Sequence, residues 1–297
     1  MLIYYIIALI AAFCWSVSSL ISADVSRELG GIGFNRLRLI LVSIMLLIFT
    51  FFDNNWVTIK HEYIAIILIS GIIGVLIGDT LLFIALQRIG PRRNNILFAL
   101  AAPFTIILNI FILKENMNLL EFLGCIVVFI GVVLAITYGS NKKNEHRWEI
   151  IEGSIIYGII LGVLAALCQA IGIIMMKPIL NNGADPIVSA ALRTSVSALI
   201  LSLSFLTNYK LFKDKTKYTF KIFYKTTIAG FMGMALGMSL LLISLKYADA
   251  GIVATLSSTS PIIILFLIWL ITKKIPTFGA WLGTIFAIAG TGMIFIN

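Results

Sequence analysis

From Leu2 to Ser22 the chain carries no charge, and the same is true from Gly153 to Met176 and from Gly251 to Thr272. A soluble helix needs a polar stripe facing water, so segments apolar on every side need a different solvent. The hydrocarbon core of a bilayer takes roughly 20 such residues as a helix, whereas the strands of a membrane barrel alternate apolar with polar side chains. The fold class expected is therefore an all-α polytopic membrane protein. With 60% of residues hydrophobic and 12% charged, no polar stretch is long enough for a soluble domain, and catalytic or regulatory units outside the membrane are excluded. The first run has no basic residue before it and no small-residue cleavage site, so it reads as a permanent span rather than a leader.

Runs bounded by charge, proline or glycine predict ten spans, at 2–22, 34–52, 63–87, 93–113, 119–138, 153–176, 187–207, 226–247, 251–272 and 277–296. The two halves repeat. ISGIIGVLIGDTLLFIALQRI (69–89) aligns with IAGFMGMALGMSLLLISLKYA (228–248) at an offset of 159 with 8 of 21 positions identical, three of them glycines. At the same offset Gly124 and Gly131 meet Gly283 and Gly290; Pro103 matches Pro261 one position short of it, and AAFC (11–14) mirrors AALC (165–168). This divides the chain into a first five-helix unit at 1–138, a polar connection at 139–152 and a second five-helix unit at 153–297. Five is odd, so the second unit enters the membrane from the opposite side: two inverted repeats, the construction of secondary transporters. Lys and Arg number 17 in the odd connections, counting Arg36 and Arg38 with the first, against Lys60, Lys114, Lys177 and Lys246 in the even ones. That bias puts the odd connections in the cytoplasm and both termini outside the cell membrane. It also makes the net charge of +9 a matter of topology and lipid headgroups, with no nucleic-acid partner.

Asp79 lies inside GVLIGDTLLF (74–83), nine residues before Arg88 and hence about 13 Å along the helix, near the bilayer centre. A carboxylate there costs at least about 3 kcal/mol and is normally kept for a cavity, a partner or a proton. Two readings stand: a group that binds substrate or a coupling proton, and a structural carboxyl bonded to a neighbouring helix. Its repeat counterpart is Met238, so the fold does not demand an acid, which favours the first reading. Arg193 sits at comparable depth and either reaches the same cavity or snorkels to the surface. Arg36, Arg38, Arg92 and Arg93 read as interface anchors. Trp15, Gln169 and Asn95 are candidate lining residues, Trp15 equally a packing residue.

Pro103 and Pro261 each remove a backbone donor within a span, and paired interruptions in two halves point to a midplane site, or else to packing kinks. Thr255, Ser257, Ser258, Thr259 and Ser260 set hydroxyls before Pro261, where the fourth span has Ala99, Ala101 and Ala102. Gly74/Gly78 and Gly233/Gly237, four apart, are expected to let another backbone approach closely. Cys14, Cys125 and Cys168 fall in apolar runs as packing residues, and His61 and His146 lie in polar loops, so no metal site or cofactor is expected.

Ten spans in two inverted halves, an Arg opening the second, a glycine-spaced third ending ALQRIGP, a proline-broken fourth followed by LKEN, and glycine-rich fifth and tenth together resemble the EamA-type transporters of the drug/metabolite transporter superfamily. The resemblance covers essentially the whole chain. It implies a central cavity lined by spans 1 to 4 and 6 to 9, peripheral spans 5 and 10, and transport of amino acids, nucleobases, sugars, amines or other metabolites without ATP hydrolysis. The family's acid after span 4 is Glu115 here, but its repeat position holds Lys274, which breaks any symmetric role.

The function expected is a secondary transporter of small polar metabolites, foremost an exporter of amino acids or related compounds, working by alternating access. Its partners are a small-molecule substrate, a coupling proton and membrane lipids; oligomeric state is left open. Alternatives are a proton-coupled exporter of lipophilic cations and a non-transporting scaffold or lipid-interacting protein. An enzyme is not expected, because no intramembrane His cluster or nucleophile–base pair is present. Phosphorylated or nucleotide-sugar substrates are disfavoured by the scarcity of intramembrane basic residues.

Overall fold

The computed structural model describes residues 2–52, 54–113, 117–138, 147–148, 150–206, 209, 212–247 and 256–295, so Thr255, Glu115 and His146 lie outside the described residues. Those residues form about ten helices, with no strand among them. Seven are long and apolar enough to cross a bilayer: Leu2–Leu29, Gly31–Phe51, His61–Phe98, Leu119–Thr137, Ile155–Asn181, Pro186–Leu206 and Phe278–Phe295.

In chain order the α-helical segments are α1 (Leu2–Leu29), α2 (Gly31–Phe51), α3 (His61–Ser70), α4 (Gly78–Phe98), α5 (Ala101–Leu108), α6 (Leu119–Thr137), α7 (Ile155–Asn181), α8 (Pro186–Ser202), α9 (Phe220–Gly230), α10 (Gly237–Tyr247), α11 (Ser260–Thr272) and α12 (Phe278–Phe295). Starts follow capping chemistry. Asn118 and Glu121 form a reciprocal capping box on α6, and the Asp185 carboxylate accepts from the N–H groups of Ile187 and Val188 ahead of α8, with Pro186 in its first turn.

Two corners are tighter than expected. Gly30 (φ 94°) alone separates α1 from α2, and Gly90 (φ 80°) breaks α4 into two arms with Pro91 opening the second. Left-handed backbone is open to glycine at no steric cost, so one residue reverses the chain where a polar loop was anticipated. The second span thus starts at Gly31 and the fourth at Pro91, which draws Arg36, Arg38, Arg92 and Arg93 inside. All four are buried, at 8% exposure or less, and are not interface anchors.

Between α3 and α4 the helix widens into a π-helical turn, Gly71–Ile77, and between α9 and α10 into another, Phe231–Leu236. They occupy repeat-equivalent positions, and such turns, rare in general, are frequently found at functional sites. Helices cross between the halves: α1 packs on α9, α10 and α11, α7 on α3, α4 and α5, and α2 on α8. The most extensive pairing is α6 with α12. Outward-facing Leu2, Phe49, Phe111, Val133, Leu199 and Phe278 are exposed and apolar, as helices solvated by lipid require.

Candidate functional site

Asp79 follows the first π-helical turn directly, and its Oδ2 lies 2.9 Å from Nη1 of Arg38 on α2. Both side chains are largely withdrawn from solvent, at 16% and 9% exposure. The Arg38 guanidinium also stands 4.9 Å over the Phe83 ring and donates at 3.4 Å to Asn35 Oδ1, while Asn35 Nδ2 donates at 3.0 Å to Thr80 Oγ1. One turn of α2 and one of α4 thus hold a charge pair on a polar and aromatic support. In low dielectric such a pair is held by its mutual attraction and by the added bond from Arg38 to Asn35.

Arg193, on α8, approaches the same region from the other half. Its backbone presses on Gly71, where a Cβ would lie 2.8 Å from the Arg193 Cα, and Ser197 Oγ donates at 3.0 Å to Gly71 O. The guanidinium runs between Gly74 and Gly172; a Cβ on either would come within 2.9 or 3.0 Å of Nη2. It therefore does not snorkel. Asp79 lies within its electrostatic range, yet Arg193 has no ion pair and its Nε no hydrogen-bond partner among the described residues.

The two arginines are related by the repeat. Leu37-Arg38 and Leu192-Arg193 stand 155 positions apart, close to the 154 separating AAFC from AALC, and this dipeptide was the signal that would have marked Arg38 beforehand. Gly230, counterpart of Gly71, faces α2 as Gly71 faces α8, but its close neighbour is Val42, whose Cγ2 would lie 2.8 Å from a Cβ there, with the Arg38 stem at 4.0 Å.

The remaining candidates fall into a second group around α1. Trp15 Nε1 donates at 2.8 Å to Gly233 O, and a Cβ at Gly237 would lie 2.7 Å from that nitrogen. Ser16 Oγ donates at 3.0 Å to Ser260 O, and Asn95 Nδ2 at 2.6 Å to Ser19 Oγ. On α7, Cys168 Cβ would be 3.2 Å from a Cβ at Gly78, and partly buried Gln169 follows it without a hydrogen bond to the described residues. Buried Pro103 and Pro261 each stand just after a break, at Ala99–Leu100 and at Ser258–Thr259, beside buried Ser257. Asp79, Arg193, Gly74 and Gly78 are thus brought together; Trp15, Ser260, Gly233 and Gly237 gather on the other side of the repeat, with Asn95 joined to them through α1.

The model of the EamA-like transporter family matches residues 2–137 and again residues 156–296. The chain belongs to the EamA-like transporter family. Among curated relatives it is 25% identical over 214 residues to GDP-fucose transporter 1 of Monosiga brevicollis, covering 70% of this chain and 61% of that one. It is 33% identical over 98 residues to the uncharacterized transporter YyaM of Bacillus subtilis strain 168, covering 33% of this chain and 32% of YyaM. The alignments thus span under two thirds of either relative's length. A solved protein structure shares the fold with a TM-score of 0.69 at 14% identity, over 99% of this chain and 96% of its own. An EamA-like fold with apolar spans places this chain in a membrane, where the Arg38–Asp79–Arg193 level is a polar island.

Proposed function

We propose that this EamA-like protein is a secondary transporter of small polar metabolites, foremost an exporter of amino acids or related carboxylates, that rocks residues 1–138 against residues 153–297. In this reading ten spans cross the cell membrane in two inverted sets and both termini lie outside. One arrangement carries it: two repeat-related arginines on packed helices, Arg38 neutralised by Asp79 and Arg193 left without an ion pair among the described residues. A guanidinium kept at that depth without a counter-ion is costly unless a ligand supplies one. A substrate carboxylate meets that need, with a planar fork that matches it. Asp79 then takes the substrate's amine or a coupling proton as Arg38 is drawn away. Trp15, Gln169, Asn95, Ser257, Ser258 and Ser260 line the remainder, and the breaks at Pro103 and Pro261 let the halves flex.

Phosphate-bearing substrates are a second reading. The argument against them was a lack of buried cations, but Arg36, Arg38, Arg92 and Arg93 are all buried, and a relative is named for GDP-fucose. Against it, Arg36 is committed to Asp214, and Arg92 and Arg93 donate to the carbonyls of Ala135 and Ile89.

Thermal stability of the purified protein against amino acids, dicarboxylates, amines and GDP-sugars tests both, since ligand at 100 times its Kd stabilises by about 2.7 kcal/mol. A shift from carboxylates that vanishes in Arg193→Gln is expected. A shift from GDP-sugars alone replaces the first reading with the second, and no shift with no uptake into proteoliposomes returns the protein to a scaffold role.

A further inference from the structure

The face that gathers the Gly30 and Gly90 corners, the central connection and the segment before α9 is held together by charge. Arg36 Nη2 lies 2.7 Å from both Asp214 oxygens, its Nη1 donates at 2.7 Å to Ser204 Oγ, and its guanidinium stacks 3.8 Å over Phe205. Arg36 belongs to the first half and all its partners to the second. Glu152, on the central connection, accepts from Gln87 Nε2 at 3.1 Å and from Lys215 Nζ at 3.2 Å, while Arg27 approaches it at 4.0 Å. Backbone ties cross the same boundary: Glu152 N to Arg88 O at 2.9 Å and Lys215 N to Leu29 O at 3.0 Å.

Beneath this layer Trp148 is 3% exposed and belongs to a buried cluster with Leu20, Phe34, Leu86, Ile222 and Ile264, side chains from α1, α2, α4, α9 and α11. Its Nε1 donates at 2.9 Å to Asp24 Oδ1, and Asp24 Oδ2 also meets Arg147 at 3.2 Å and Lys225 at 3.7 Å. A large aromatic from a connecting loop has no need to be buried in a cluster shared by five helices unless it fills a space that is elsewhere required. At the opposite face the described contacts between the halves include Asn55 Nδ2 to Asp185 Oδ2 at 3.1 Å, Ser244 Oγ to Tyr4 O at 2.9 Å and a stack of Tyr4 on Tyr247.

We propose that Trp148 gates this face: it is a plug between the halves, and the Arg36–Asp214 pair with the Glu152 cluster is the latch that keeps it seated. The proposal rests on the alternating-access reading for its purpose, but its geometry is independent of what is carried. A charge-assisted pair in which one guanidinium nitrogen meets both carboxylate oxygens is strong while aligned and is lost over a short displacement, which suits a latch that must open completely.

The experiment reads access rather than flux. In protein keeping Cys168 and carrying Cys14→Ala and Cys125→Ala, membrane vesicles of each orientation are treated with a water-soluble, membrane-impermeant maleimide. Asp214→Asn and Trp148→Ala are expected to raise Cys168 labelling from the latch face by about tenfold, one decade in the gating equilibrium. The exchanged pair Arg36→Asp/Asp214→Arg is expected to fall back toward the parent rate, separating a latch from simple unfolding, which exposes Cys168 from both sides and is not rescued. Labelling unchanged in both single variants overturns the gate. Raised labelling in a protein that moves no solute leaves the gate standing and removes the transport reading instead.

Discussion

Gly124 and Gly131 on α6 face Gly290 and Gly283 on α12, and the seam is its own mirror. A Cβ at Gly124 would lie 2.7 Å from Gly290 O, and its repeat counterpart at Gly283 would lie 2.6 Å from Gly131 O. The level of Asp79 has the same ancestry and the opposite outcome. Arg38 and Arg193 are counterparts, but Asp79 answers to Met238, so one arginine has a carboxylate and the other has none paired with it among the described residues. Where the repeat serves packing, both copies keep the small residue that close backbone approach requires. Where an asymmetric solute would be held, one copy has changed, because a two-fold site offers identical groups to both ends of its ligand.

The largest effect is expected from breaking the asymmetry. Asp79→Ala leaves Arg38 buried without a counter-ion, which costs about 3–5 kcal/mol and is measured as loss of folded protein in detergent. Removing both charges, Asp79→Leu with Arg38→Met, is expected to recover most of that stability while transport stays lost. If Asp79→Ala is as stable as the parent, the pair contributes nothing to the fold, and the comparison with the seam loses its energetic side.

Next comes the seam. Gly131→Val or Gly283→Val drives a side chain into backbone that cannot rotate aside, an overpacking cost of about 1–3 kcal/mol for each. The expected signature is a lower Tm with unchanged substrate affinity in the protein that survives, since the seam is scaffold. An affinity change from the seam would mean that it moves during transport.

A smaller effect separates the arginines. Arg193→Gln is expected to raise KM for a carboxylate substrate about 10- to 100-fold, the worth of a charged hydrogen bond, with little loss of stability because no partner is orphaned. Arg38→Gln, which strands Asp79, is expected to lower stability as well. Equal behaviour of the two variants would erase the distinction.

What the sequence made legible, and what it hid, follows the same division. Asp79, Arg193 and the paired glycines were visible because a charge or a four-residue glycine spacing stands out in apolar runs. Arg36 and Arg38 read from sequence as interface anchors because a connection ordinarily takes several polar residues; a left-handed Gly30 makes it in one and draws both inside. Trp148 and Glu152 carried no signal at all, since a loop has no period and their partners come from helices distant in the chain. Asp79's own partner was hidden for a related reason: Arg38 is 41 residues away and near a helix start, where arginine is common.

The last contrast is between the latch and the membrane level, and it is tested with pH. Burial works to raise the Glu152 carboxyl, but hydrogen bonds from Gln87 and Lys215 and the charges of Lys215 and Arg27 outweigh it and hold it below the ordinary glutamate range. A depressed carboxyl contributes stability that is fully present above its unfolded value and is lost only as pH falls through the lower native one. From neutrality down to the ordinary carboxylate range, Cys168 labelling from the latch face is therefore expected to stay flat, and to rise only in more acid solution. Glu152→Gln, which keeps an acceptor but discards the charge, is expected to show a modestly higher rate that no longer rises at the acid end on this group's account. Because Glu152 is about a third exposed, at 37%, the change is expected to be the smallest of the series. A labelling rate that instead climbs between neutral pH and the ordinary carboxylate range would assign the opening to a different group.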